Sequence, residues 1–278
     1  MLDKLIQDYL ADLKAQGSPA TTIRTYASHL SKFSEWCRNN NIDPTRVTPK
    51  DIKLFRNYLV NIGLKPHTVN MHIYCLSGFY SFLCEEGIVT GNPVITNRLS
   101  IKEERRVPAF LSDEEVAQIL KCLEKKPRHV QMAFKTMLAT GLRIGELLNL
   151  TPRDVVRQGN IVLVHVRRGK GSKERWAPVT DAQIAKQLLQ WREERKNHLR
   201  LFDISPSTLR HHARSIGKEI GIHFHPHRLR HTLATQLLSQ GYSLDVVQEV
   251  LGHENIVTTR RYVVTLPRYF FQAAARIS

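Results

Sequence analysis

The sequence predicts a mainly α-helical protein of two domains, the second carrying a small antiparallel β-sheet. Apolar residues recur at helical spacing through most of the chain, and short start signals stand in front of the periodic segments. One stretch, 91–110, has no periodicity, two prolines and a cluster of charges, and reads as a link between domains. One run, 161–166, is rich in β-branched residues. A basic turn bearing glycines and the segment Trp176-Ala177-Pro178-Val179 follow it, which together read as a hairpin.

The elements follow in order. Leu2, Leu5, Ile6, Tyr9, Leu10 and Leu13 form an apolar stripe that ends near Gly17. Ser18 reads as an N-cap with Pro19 at the first helical position, opening a helix with Ile23, Tyr26, Leu30, Phe33 and Trp36 on one face. Thr48-Pro49 repeats the signal before Ile52, Phe55 and Leu59. A fourth helix spans about 66–86, with Ile73, Leu76, Phe79, Tyr80 and Leu83 inward and Gly87 as its stop. These helices form a compact bundle, a first domain of residues 1–92, with a linker over 93–110. Ser112 to Glu115 is a capping box that opens the second domain, 111–278. There the pattern gives a long apolar helix over 130–138, broken by Gly141, and another beginning in 142–150. After the hairpin come helices at 181–196, 205–220, from His227, and at 243–251. The tail after Leu266 reads as a short amphipathic helix.

Composition narrows the class. Hydrophobic residues at 42% and charged ones at 24% suit a soluble globular protein. The balance of 41 Lys+Arg against 25 Asp+Glu leaves +16, which favours a polyanionic partner, and nucleic acid is the commonest. The excess is uneven: residues 1–100 carry 11 basic and 8 acidic side chains, residues 101–278 carry 30 and 17. Cys37, Cys75, Cys84 and Cys122 stand singly with no CxxC spacing, and read as buried free thiols in a reducing compartment. No signal peptide and no membrane span is legible. The expectation is a soluble cytoplasmic protein working at the nucleoid.

Chemistry-bearing residues concentrate in the second domain. Arg143 lies in TGLRIGELLNL with Glu146 three positions on, a spacing that an ordinary surface ion pair also explains. His227 and His231 are four apart on a helix, as in zinc sites, but Arg228 and Arg230 between them would repel a cation. Gly252 is an expected helix C-cap that would present His253. Lys170 and Lys173 stand in the basic turn. Each feature taken alone has a bland reading.

Their order and spacing together resemble the tyrosine recombinase, or phage integrase, family. The matching pieces are TGLRIGELLNL, GKGSKER before the apolar-Pro-apolar strand, HPHRLRHTLATQLL, VVQEVLGHENIVTT and RRYV. The resemblance extends over essentially the whole chain and implies a two-domain DNA clamp, with a SAM-like core-binding bundle and a catalytic domain. It implies that Arg143 and Arg230 clasp the nonbridging oxygens of a scissile phosphate, with His253 hydrogen-bonded to the same group. His227 would help take the proton of Tyr262, the nucleophile, and Lys170 would protonate the departing 5′ oxygen, with Lys173 the alternative. Glu146 would brace these groups. Arg167, Arg168, Lys173, Arg175, Arg24 and Thr68 are the expected DNA contacts, with Lys14, Lys32, Lys65 and His67 also available on the first domain. Tyr269 reads as packing beside Phe270 and Phe271, not as a second nucleophile.

A phenol of pKa about 10 needs cations and a base to attack at neutral pH. Two arginines can supply the charge stabilisation that metal pairs supply elsewhere, so neither metal nor cofactor is expected. The implied partners are duplex DNA with a specific site and a homotetramer on two synapsed sites, with a paralogous recombinase as a further partner. Two other readings stay open on the residues alone: a type IB topoisomerase, which relaxes DNA as a monomer, and an inactive DNA-binding regulator of the same fold.

Overall fold

The computed structural model describes residues 2–103, 110–167 and 174–252. The expectations placed on Arg168, Lys170, Lys173, His253, Tyr262, Tyr269 and the tail helix fall outside these residues. The chain divides into two compact units, Met1–Arg105 and Arg106–Ser278.

The first unit holds α1 (Leu2–Ala15), α2 (Ala20–Asn39), α3 (Pro49–Asn61), α4 (Pro66–Glu85) and the short α5 (Thr96–Leu99). The apolar stripes become its core: Leu30, Phe33, Ile52, Phe55, Leu59, Ile73, Phe79 and Leu83 are fully buried. Phe55 sets its ring edge-on to Phe33 at 5.0 Å and lies 5.3 Å from Trp36, so aromatic packing ties α2 to α3. Thr48 and Asp51 close a reciprocal capping box that fixes where α3 starts. At α2 the start falls one residue later than expected. Pro19 is the N-cap, with no side-chain cap bond, and the helix begins at Ala20.

The first unit also runs into the stretch read as linker. Val94 and Leu99 are buried in its core, and Asn70 exchanges two hydrogen bonds with the backbone of Ile101, at 2.9 and 2.8 Å. Isolated apolar residues among prolines carry no period, so their burial does not register in the sequence pattern. Of the cysteines, Cys37, Cys75 and Cys122 are buried as expected, whereas Cys84 is only half-buried; all four are free thiols.

The second unit contains α6 (Asp113–Glu124), α7 (Arg128–Thr140), α8 (Ile144–Asn149), β1 (Val155–Gln158), β2 (Ile161–Val166) and β3 (Arg175–Pro178). Then follow α9 (Ala182–Glu194), α10 (Pro206–Glu219), α11 (His227–Ser239) and α12 (Leu244–Leu251). Ser112 caps α6 reciprocally with Glu115. Asp181, Ser205 and Ser243 each accept the N–H of the third helical residue, which sets the starts of α9, α10 and α12. The strands pair antiparallel in the order β1-β2-β3, with β2 central. The sequence reading had the β2–β3 hairpin but not β1. Val155, Val162, Val164, Val166 and Ala177 turn the inner face of the sheet into the main core. A smaller cluster, Leu233, Leu237, Leu238, Val247 and Leu251, packs α11 against α12.

Candidate active site

The site is built where α7 and α12 end beside each other. Gly141 closes α7 in the left-handed conformation, φ +65°, and its N–H is bonded to the Met137 carbonyl at 2.9 Å. Glycine is needed there a second time, because a Cβ would stand 2.5 Å from Leu251 Cδ2 and 3.1 Å from Leu233 Cδ2. That close approach brings the C-terminal carbonyls of both helices within reach of one side chain from α11. Arg230, 1% exposed, donates from Nη1 to the Gly141 carbonyl at 2.7 Å and from Nη2 to the Leu251 carbonyl at 2.6 Å. A guanidinium suits this position, since its planar fork reaches two acceptors at once and a cation is favoured at helix C-termini.

Arg143 stands two residues beyond Gly141 and serves as the N-cap of α8. Its backbone N–H donates to Glu146 Oε2 at 2.8 Å, and its Nη1 donates to Glu146 Oε1 at 2.7 Å. Its Nη2 donates to the Gly252 carbonyl at 3.4 Å. The two arginines expected to act together therefore take successive carbonyls, 251 and 252, at the end of α12. Gly252, itself left-handed at φ +66°, leads the chain on to His253.

Glu146 is 5% exposed, which sets aside the reading of the Arg143–Glu146 spacing as a surface pair. Its second cation is Arg175, which donates from Nη1 to Oε1 at 3.1 Å and from Nη2 to Oε2 at 2.9 Å. Burial by itself would raise the Glu146 pKa. The Arg175 hydrogen bonds and charge, followed by the backbone N–H and charge of Arg143, override it and bring the carboxyl down to about 2. Arg175 was expected on DNA. The structure instead commits both terminal nitrogens to Glu146 and leaves its side chain 12% exposed. Strand alternation carried the missed signal: Arg175 shares a face with Ala177, which is fully buried. Arg167, also expected on DNA, keeps a half-exposed side chain, while its Nε donates to the buried Asp154 at 2.5 Å.

His227 opens α11 one turn before Arg230 and is solvent-exposed. Partial burial, then the charges of Arg230, His225 and Arg143, hold its pKa below the ordinary histidine value, with Glu146 opposing. The open surface of this residue tempers the shift, and its direction leaves a neutral ring at pH 7 that can accept a proton. His231 packs its ring perpendicular to that of His227, with centroids 4.5 Å apart. Among the described residues no group of three or more His, Cys, Asp or Glu side chains could hold a metal ion, and no helix is long and apolar enough to cross a membrane.

In the first unit, Lys14, Arg24, Lys65 and His67 are exposed, and Lys32 and Thr68 are partly so. Arg24 lies on α2 and Thr68 on α4. His67 is paired with Glu103 at 3.3 Å, which makes it the least available of these groups to a phosphate.

Comparison with known proteins bears on the same residues. The model of the phage integrase family matches residues 109–267, and the model of the phage integrase N-terminal SAM-like domain matches residues 6–87. The tyrosine recombinase XerC of Oceanobacillus iheyensis is 31% identical over 275 residues, covering 92% of this chain and 88% of that protein. The tyrosine recombinase XerA of Pyrococcus furiosus is 29% identical over 287 residues, covering 98% and 93%. Among solved structures, the XerH site-specific recombinase bound to palindromic difH substrate superimposes with a TM-score of 0.79 at 23% identity, over 99% of this chain and 83% of that one. A lambda integrase dimer bound to a COC′ core site gives 0.75 at 21% identity, over 94% and 76%. Both are similar in fold. The matched catalytic-domain model covers Arg143, Glu146, Arg175, His227 and Arg230 in one span, and the chain belongs to the phage integrase family of tyrosine recombinases.

Proposed function

We propose that this protein is a site-specific DNA recombinase that cuts and rejoins strands through a covalent bond between Tyr262 and a 3′ phosphate. The observation that carries the reading is the convergence of Arg143 and Arg230 on the end of α12, beside His227 and immediately ahead of His253. Duplex DNA is the substrate, a reading supported by the fold shared with the XerH recombinase bound to difH substrate and the lambda integrase dimer bound to a COC′ core site. The first domain, residues 1–92 with α5, grips the duplex through Arg24 and Thr68. The second, 111–278, performs the chemistry in the cytoplasm, with protomers assembled as a tetramer on two sites.

The reaction follows from the charges. The attacking Tyr262 oxygen loses its proton toward His227, which is neutral at pH 7 and so can accept one. The phosphorus passes through a five-coordinate state more negative than the diester. The fixed positive charges of Arg143 and Arg230, with His253, stabilise that state more than the ground state. Arginine suits the task because it stays charged at any working pH while its nitrogens are held by neighbouring acceptors. Lys170 donates a proton to the leaving 5′ oxygen. The phosphotyrosyl ester keeps the energy of the broken bond, so a 5′ hydroxyl from another strand reverses the step without ATP. The arginine charges take the role that metal ions play in other phosphoryl-transfer sites.

The test is to incubate nicked duplexes, selected from a random-sequence pool by their binding to the wild-type chain, with wild type and Tyr262→Phe in EDTA. The wild type is expected to give a protein–DNA adduct on a denaturing gel, and Tyr262→Phe to bind the same DNA without one. Tight binding with no adduct from the wild type would move the reading to an inactive DNA-binding regulator. Relaxation of supercoils by a monomer without sequence preference would move it to a type IB topoisomerase.

A further inference from the structure

We infer that Arg175 is a positioning residue of the strand-cleavage site: its guanidinium sets the Glu146 carboxylate that holds Arg143, and its stem is the surface on which Gly252 seats the chain entering His253. The inference rests on the recombinase reading above and gives Arg175, the last residue of GKGSKER, a task inside the site in place of a DNA contact. Three features support it. Both terminal nitrogens of Arg175 meet both oxygens of Glu146, at 3.1 and 2.9 Å, a two-pronged contact that fixes the plane of the carboxylate. The same carboxylate takes the backbone N–H and Nη1 of Arg143 at 2.8 and 2.7 Å, so any tilt imposed at Arg175 is passed to Arg143. And a Cβ on Gly252 would lie 2.5 Å from Arg175 Cδ, 2.6 Å from its Nε and 2.9 Å from its Cζ. The α12 cap therefore lies against the arginine stem with no room for a side chain between them.

Burial separates this role from a DNA contact. With 12% of the Arg175 side chain exposed and 4% of the Glu146 side chain, the pair is sequestered from solvent. A phosphate would have to displace Glu146 to reach the terminal nitrogens, leaving a buried carboxylate with Arg143 alone. Arg143, with 28% of its side chain exposed, is the cation of the trio that faces outward. Among the described residues, the charged and titratable groups around Glu146 are Arg143 at the start of its own helix, Arg175 on β3, and His227 on α11, whose pKa Glu146 itself pulls upward.

The experiment compares wild type, Arg175→Gln, Arg175→Lys, Glu146→Gln and the Glu146→Gln/Arg175→Gln double variant on the nicked duplex captured by the wild type. DNA affinity and the rate of adduct formation at saturating DNA are measured separately across pH. Arg175→Gln is expected to bind like the wild type and to cleave on the order of 100-fold more slowly, the scale of a small misplacement of a catalytic group. Arg175→Lys should fall between, since an ammonium supplies charge but cannot hold both oxygens. The acid limb of Arg175→Gln should lie at higher pH than that of the wild type, because burial then raises the Glu146 pKa with less to oppose it. The double variant, with no carboxyl to titrate, should lose that displacement.

A wild-type cleavage rate in Arg175→Gln overturns the proposal. So does a loss confined to affinity, which returns Arg175 to the DNA backbone, or an unchanged displacement in the double variant. If circular dichroism finds Arg175→Gln unfolded, Arg175→Lys decides, and a wild-type rate there overturns the proposal equally. Failure of the wild type itself to form an adduct is a distinct result that removes the recombinase reading and this inference with it.

Discussion

Replacing Arg230 by methionine is expected to damage the fold of the second unit as severely as its chemistry. The side chain is 1% exposed and donates at 2.7 and 2.6 Å to carbonyls that close α7 and α12. Methionine replaces the stem and fills most of the volume but stops short of the carbonyls, so the loss is chiefly of the two hydrogen bonds. Each charge-assisted bond contributes about 1.5–3 kcal/mol, so the two together give roughly 3–6 kcal/mol. A domain has a total stability of only about 5–15 kcal/mol, so this loss brings the unit close to unfolding. Hydrogen exchange in urea, read peptide by peptide, checks the figure. Amides of α7, α11 and α12 should lose protection at lower urea in Arg230→Met, while those of α1 to α4 keep the wild-type profile. A midpoint within about 1 kcal/mol of wild type would refute the claim that these two bonds hold the helix ends together. Arg230→Lys separates the roles: it keeps a cation near the carbonyls but reaches fewer of them, and should be intermediate in stability.

Gly141→Ala should cost at least about 1 kcal/mol from the left-handed backbone alone. The Cβ placed 2.5 Å from Leu251 Cδ2 adds to that, and calorimetry should find the second unit melting earlier. His72 predicts acid sensitivity in the first unit. It is 3% exposed, and burial, followed by the charges of His29 and Lys32, lowers its pKa to about 4. Because the folded value lies below the unfolded one of 6.5, the unfolded chain takes up the proton first. Stability should therefore be constant above about pH 6.5 and fall by up to about 1.4 kcal/mol per pH unit between there and about pH 4. His72→Phe, which keeps an aromatic ring against His29 and Phe55, should flatten that slope in urea titrations; an unaltered slope would show that another group controls it.

How much of this was legible in the sequence depends on the range of the interaction. Helix starts at Thr48, Ser112, Asp181, Ser205 and Ser243 could be read because a cap and its N–H lie three positions apart. Pro19 went astray by one position because Ser18 offers a hydroxyl that no helix N–H uses. β1 was missed because four residues with only Val155 buried are too short for alternation to register. In the site, Arg143, His227 and Arg230 were legible from their motif, but their partners were not. Glu146 meets Arg175 across 29 positions, and Arg230 meets the Leu251 carbonyl across 21. Neither pairing has a local pattern, and strand parity alone, setting Arg175 beside Ala177, carried a hint of one.

The choice of partners decides what charge the site presents. Had each arginine faced its own carboxylate, the field over the site would be nearly neutral and a phosphate diester would gain little there. Instead, among the described residues, Glu146 alone serves both Arg143 and Arg175, while Arg230 donates to the carbonyls of Gly141 and Leu251. Two guanidiniums against one carboxylate leave that trio with a net positive charge. His227 keeps its proton off at pH 7 because partial burial, and after it the charges of Arg230, His225 and Arg143, disfavour the charged ring. A diester bound there would bring negative charge and relieve that repulsion, raising the affinity of His227 for a proton when Tyr262 needs to lose one. On this reasoning the proposed base becomes competent only with DNA in place, and the imidazole of His227 should titrate at higher pH in the complex than in the free protein. NMR of the ring protons with Tyr262→Phe, free and bound to the captured duplex, measures the difference directly; equal values in the two states would refute the electrostatic coupling.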